Sequence, residues 1–323
     1  MAGVLVTGGA GYVGIPTVCE LLTAGHRVRV LDSLAHGGQS LLAVWAAPSF
    51  DFVRGDIRDP DVVRRAVSGM DSVVHLAAVV GDPACARNPE LARAVNLDGS
   101  RSLLVASREA GVRRFVFVST CSNYGRMADP RLLVTEETEL RPISLYAETK
   151  VHIEREVLEG QDKTPFCATI LRLATVYGVS PRMRFDLTVN EFTMEMATRK
   201  HLVVFGEQFW RPYVHVRDVA RAVRIVVEAA AKKVRSQVFN VGDTGENYQK
   251  AELVRRIRLQ VPDAVVEFVK KDEDPRDYRV SFAKIARLLG YKVTRSVDDG
   301  IAEVVSLVRS GIIQHYDDQN FRN

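Results

Sequence analysis

Two short stretches of this 323-residue chain carry residues of the type and spacing that redox chemistry at a hydroxyl group requires. One is Tyr146-Ala147-Glu148-Thr149-Lys150, at the start of a helix-like run. Side chains four apart share a helical face, so the lysine ammonium can reach the group that the tyrosine hydroxyl touches. Free tyrosine has a pKa near ~10 and works as a base at neutral pH only where positive charge steadies the phenolate. Lys150 and an oxidised nicotinamide ring would supply that charge. The other stretch is Thr7-Gly8-Gly9-Ala10-Gly11-Tyr12-Val13-Gly14. Its glycines allow a tight turn and let N–H groups at a helix N-terminus approach a pyrophosphate, where the helix dipole favours negative charge. The next strand-like run ends at Asp32-Ser33, about 20 residues on, placed for the hydroxyls of an adenosine ribose. A carboxylate there repels a 2′-phosphate, so the pattern selects NAD over NADP. A tight turn with a solvated aspartate, and a half-buried tyrosine beside a surface lysine, are the plain alternatives to each stretch taken alone.

The elements that must position these residues alternate. Segments 3–7, 28–32, 72–76, 114–118 and 167–173 are short, β-branched and apolar, and helix-like runs at 12–24, 60–68, 88–110 and 144–159 fall between most of them. That rhythm predicts a parallel sheet with helical crossovers over roughly the first 175 residues. Beyond Tyr177-Gly178 it loosens into a helix at 185–199, a strand at 202–205, Arg211-Pro212-Tyr213-Val214-His215-Val216, a helix at 218–231, strands near 237–241 and 264–269, and a helix at 248–258. The closing stretch GIIQHYDDQNFRN reads as a fraying tail.

Composition narrows the partners. Lys plus Arg number 44 and Asp plus Glu 40, a formal charge of +4, with the basic residues scattered among acids, so no nucleic-acid partner is expected. Cysteines at 19, 85, 121 and 167 show no metal-ligand spacing, so no metal is expected and the thiols suit a reducing compartment. No apolar run approaches the ~18 residues of a bilayer span, and a strand-like run begins too early to leave room for a signal peptide, so a cytoplasmic protein with no membrane partner is expected.

The glycine loop with Asp32, Gly55-Asp56-Ile57, His75-Leu76-Ala77-Ala78, Asn96-Leu97-Asp98-Gly99, Ser119 to Gly125, Tyr146 to Lys150, Leu171 to Gly178 and Arg211 to Val216 occur in order along the chain. Together they resemble the extended branch of the short-chain dehydrogenase/reductase superfamily, the epimerases and dehydratases of nucleotide sugars such as UDP-galactose 4-epimerase. The resemblance implies a Rossmann-type doubly wound α/β sheet, residues 1–175 with about 211–242, and a smaller interleaved C-terminal substrate domain, 176–210 and 243–323. It implies NAD as cofactor, a nucleotide-diphosphate sugar as substrate and a homodimer through helices 88–110 and 144–159. It places Gly8, Gly11, Tyr12, Val13, Gly14, Asp32, Ser33, Asp56, Ile57, Ala77, Ala78, Val79 and Asn96 on the cofactor, Asn96 at its phosphates, and adds Thr120 to Tyr146 and Lys150 as a catalytic set. Val80, Thr120, Cys121, Ser122, Thr175 and Asn190 border the substrate, and Arg211 and Arg276 pair with its diphosphate, which planar guanidinium donors suit. His75 reads as a packed strand-end residue.

In this family the tyrosine takes a proton from a sugar hydroxyl, hydride passes to NAD, and the threonine hydrogen-bonds the same oxygen. The 4,6-dehydratases carry an Asp-Glu pair directly after the threonine, where this chain has Cys121-Ser122. A 4-epimerase needs only the triad, NAD and room for the ketosugar to turn. A 3,5-epimerase, a dehydratase or a ketoreductase on the same scaffold, or a non-catalytic NAD-binding module, are the other readings. Thr175, where many members have Asn, and Asn123, in place of an apolar residue, depart from the pattern and leave the sugar open.

Overall fold

The computed structural model describes residues 2–127, 129, 132–159, 165–271 and 277–323. Alternation of apolar residues along the first strand sends Val4 and Val6 to one face, packed with Ile15, Val18 and Val223, and Leu5 to the other, with Val63, Leu103 and Ile153. A strand buried on both faces must have helices on both sides. Seven strands, Gly3–Thr7, Arg27–Asp32, Phe50–Arg54, Ser72–His75, Arg114–Thr120, Cys167–Leu173 and Gln237–Val241, form one wholly parallel sheet. Its order runs 237–241, 167–173, 114–120, 72–75, 3–7, 27–32, 50–54. This is a Rossmann-type doubly wound sheet, and its order reverses between Gly3–Thr7 and Ser72–His75, the place where such sheets open a ligand crevice.

A smaller C-terminal part packs its own core of Phe192, Leu202, Val204, Leu253, Ile257 and Ile301. Trp210–His215 pairs there with Thr175–Tyr177 and Asn247–Gln249, while the following Gln237–Val241 returns to the large sheet.

The expected helix at 88–110 runs unbroken over Pro89–Glu109, widened by a π turn at Ala94–Gly99. Two other features differ from expectation. An edge strand, Phe50–Arg54, joins the expected ones; charged Asp51 and Arg54 interrupt its apolar pattern, as befits a half-exposed edge. The closing stretch does not fray. The Phe185 ring stands edge-on to Tyr316 and Phe321, with centroids 5.4 and 5.7 Å away, and the Phe185 N–H donates to the Phe321 carbonyl at 2.9 Å.

Candidate active site

The glycine loop turns because Gly8 adopts φ +73°, and a Cβ there would come within 2.8 Å of the Ala77 nitrogen. A Cβ on Gly14 would overlap the Gly8 carbonyl oxygen, so the helix Gly14–Thr23 starts hard against the strand only with glycine in place. Thr7 and His75, partners in adjacent strands, share a hydrogen bond of 2.8 Å between Oγ1 and Nδ1, and His75 Nε2 lies 2.9 Å from Ser100 Oγ. Burial, with Lys150's charge adding, pushes the His75 pKa down to about 3, so this imidazole is a neutral packed strand end.

Above the switch point opens a cleft of about 710 Å³, within the usual range of ligand sites. Gly8, Gly11, Tyr12, Val13, Gly14, Asp32, Ser33, Asp56 and Ile57 line it, as do Ala77, Ala78, Val79 and Val80. Thr120, Ser122, Tyr146, Lys150 and Thr175 line the same cleft. The residues fit a dinucleotide on two observations. The main-chain N–H groups of Tyr12 and Val13, at the mouth of the first helix, have no protein acceptor among the described residues. Asp32 is held facing the cleft by N–H donors from Ala10 at 3.0 Å and Leu34 at 2.8 Å, with burial raising its pKa.

Ser144 caps the helix Leu145–Leu158 by accepting the Ala147 N–H, which sets Tyr146 in the first turn and Lys150 in the second. Lys150 Nζ donates to the Val118 carbonyl at 2.9 Å and stands 6.0 Å from the Tyr146 ring centroid. Thr120 Oγ1 accepts the Ser122 N–H at 3.1 Å. Burial pushes the Lys150 pKa down to about 8, while Glu154 and Cys85 oppose it. Burial raises the Tyr146 phenol, Cys85 and Asp82 add to this, and the cation opposing it is Arg184. Burial thus favours the neutral phenol, and added positive charge nearby would favour the phenolate.

Four expected site residues stand elsewhere. Asn96 does not line the cleft; its Oδ1 accepts the Val79 N–H at 2.8 Å and its Nδ2 donates to the Val79 carbonyl at 3.0 Å, so it shapes the wall from behind. Cys121 is fully buried, its thiol directed at the Arg172 carbonyl at 3.4 Å, and burial raises its pKa, so it offers no thiolate. Asn190, also fully buried, accepts the Gly178 N–H at 2.9 Å and donates to the Arg184 carbonyl at 2.9 Å. Arg211 is buried outside the cleft lining, with Nη1 donating to the Trp210 carbonyl at 2.7 Å. Arg276 lies outside the described residues. Conversely, the lining includes Arg87, Arg182, Arg184, His36, Tyr278 and Asn323, none of them an expected site residue; Tyr278 stands two residues after Arg276, and Arg182-Met183-Arg184 is a local pair of cations.

Fold and cleft together define a dinucleotide-dependent enzyme of the extended short-chain dehydrogenase/reductase class. The model of the NAD dependent epimerase/dehydratase family matches residues 4–242, and the chain belongs to that family. The UDP-glucose 4-epimerase of Lactobacillus helveticus is 30% identical, over 93% of this chain and 94% of that protein. Among solved structures, the dTDP-glucose 4,6-dehydratase of Streptomyces venezuelae with NAD bound superposes with a TM-score of 0.84 at 29% identity, covering 95% of this chain and 97% of the other. The Thermus thermophilus UDP-glucose 4-epimerase in complex with NAD gives 0.83 at 27% identity, covering 96% and 100%. Among the described residues no helix is long and apolar enough to cross a membrane, and no cluster of side chains could hold a metal ion.

Proposed function

We propose that the chain is an NAD-dependent epimerase that inverts C4 of a nucleotide-diphosphate sugar through a transient 4-ketosugar. Similar epimerases and dehydratases stand at nearly the same identity, so the site must decide between them. The observation that carries the reading is the distribution of carboxylates: among the described residues lining the cleft only Asp32 and Asp56 are acidic. Asp32 ends one strand and Asp56 follows another, both on the far side of the switch point from Thr120 and Tyr146. Elimination of water needs a further acid and base beside the sugar; epimerisation needs only the group that takes and returns the hydroxyl proton.

The glycine loop and Asp32 would hold NAD, which supplies the hydride acceptor and, on return, the donor. Tyr146 would take the proton of the C4 hydroxyl and return it to the same oxygen after the ketosugar has turned, inversion coming from hydride returned to the other face of C4. Lys150, joined by the positive charge an oxidised nicotinamide would bring, would lower a phenol that burial raises. Thr120 donates a hydrogen bond to the reacting oxygen and steadies it as it becomes a carbonyl.

Incubation with NAD and a panel of nucleotide sugars in deuterated water, with isomer separation and mass spectrometry, tests this. An isomer of unchanged mass without deuterium is expected; loss of water or uptake of deuterium at carbon would overturn it. Tyr146→Phe is expected to abolish turnover and retain NAD.

A further inference from the structure

The chain leaving Gly178 runs back over the glycine loop and is fastened to it. Ser180 Oγ donates to the Tyr12 carbonyl at 2.8 Å, and the Tyr12 hydroxyl donates to the Gly178 carbonyl at 2.7 Å. This stitching, with Asn190 gripping the Arg184 carbonyl, fixes two guanidinium groups on the cleft wall. Arg182 and Arg184 are 7% and 9% exposed, and both line the cleft. One carboxylate serves the pair: Asp186 takes Arg184 Nε and Nη2 at 2.9 and 2.7 Å. Among the described residues no carboxylate pairs with Arg182: its Nη2 donates to the Arg322 carbonyl at 2.9 Å, and its buried Nε meets no acceptor there.

A buried guanidinium with an unmet donor on a cleft wall is a site for an anion. Burial and the like charge of Arg184 push the Arg182 pKa down to about 10, a cost that a bound anion would relieve. The location says which anion. His36, from the loop after Asp32, lies close enough that both arginines help burial to lower its pKa, and the wall is bonded directly to Tyr12, whose N–H awaits an acceptor. Arg87 Nη2 closes the outer side by donating to the Asn323 main-chain oxygen at 2.8 Å.

We propose that Arg182, with Arg184 beside it, binds the diphosphate of the dinucleotide from the side opposite the glycine loop, so that the cofactor is gripped by both parts of the chain. This rests on the reading that the cleft takes NAD. A cofactor held from both sides leaves only when the 178–187 segment lifts, which suits an enzyme that returns the hydride to the molecule it came from.

Calorimetric titration of cofactor-stripped wild type, Arg182→Gln, Arg182→Lys and Arg184→Gln with NAD, ADP-ribose and adenosine tests it. A charge-assisted hydrogen bond corresponds to about tenfold to a hundredfold in affinity. Arg182→Gln is expected to weaken NAD and ADP-ribose by that factor, with Arg182→Lys intermediate. Adenosine, which lacks phosphate, should bind all four proteins equally, which also shows that the variants fold. Equal NAD affinity in wild type and Arg182→Gln would overturn the proposal. So would a raised KM for the nucleotide sugar with NAD affinity unchanged, which would move the site to the substrate's diphosphate. A wild type that bound neither NAD nor ADP-ribose would instead overturn the cofactor reading itself.

Discussion

Glu154, one helical turn beyond Lys150, forms a buried salt bridge with Arg172 on the neighbouring strand at 2.6 Å. The same carboxylate accepts the Ser119 hydroxyl at 2.5 Å and the Asn123 amide at 2.8 Å, so it ties the helix of Tyr146 and Lys150 to the strand end that presents Thr120. Removing one partner strands the other charge in a dry interior. Glu154→Gln is expected to lower stability by about 3–5 kcal/mol in urea unfolding. Glu154→Met combined with Arg172→Leu, which leaves no lone charge, should recover part of that loss.

Lys150 gives a signed pH dependence. Its pKa is about 8 in the folded chain against an ordinary 10.5. Between these values the unfolded state binds more protons, so the Lys150 contribution to stability rises with pH across that window, and below it the full burial penalty remains. Buried phenols and thiols with raised pKa pull the other way, so the informative quantity is a difference. The stability of wild type minus that of Lys150→Met, without cofactor, should increase from pH 7.5 to pH 10. A flat difference would show that burial does not shift this lysine.

At Gly14 a methyl group has no room beside the Gly8 carbonyl. Gly14→Ala is expected to cost about 1–3 kcal/mol through overpacking and at least about tenfold in NAD affinity. Thermal melting and NAD titration of the variant check the two effects separately.

Packing of the closing residues makes Phe321 a strut for one side of the cleft. Phe321→Ala removes an edge-on ring contact worth about 0.5–1.5 kcal/mol beyond its buried area. Hydrogen exchange should then show the Phe185 amide, bonded to the Phe321 carbonyl, losing protection while the amides of the central strands keep theirs.

What could be read along the chain was whatever local backbone geometry demands. A glycine at φ +73° is required by the turn itself, and a tyrosine and lysine four apart share a helical face in any context, so both stretches announce themselves. The strands of the sheet centre were equally legible because burial on both faces makes them continuous apolar runs. Asn96 and Cys121 occupy motif positions and Asn190 was a further candidate, yet their polar atoms are spent on Val79, Arg172 and Arg184, and no spacing rule reveals where a side chain's hydrogen bonds go. Arg182 and Arg184 show the converse, lying in an irregular segment with no period to mark them.

Local order along the chain therefore dictates the alternating sheet, the dinucleotide loop, the Tyr146–Lys150 pair and the missing carboxylates after Thr120. Packing in three dimensions dictates that residues 178–190 fold back onto Tyr12, that Glu154 meets Arg172, and that the closing residues wall the cleft. Backbone conformation is set by neighbours within a few positions, whereas burial and charge pairing are set by segments that packing alone brings together.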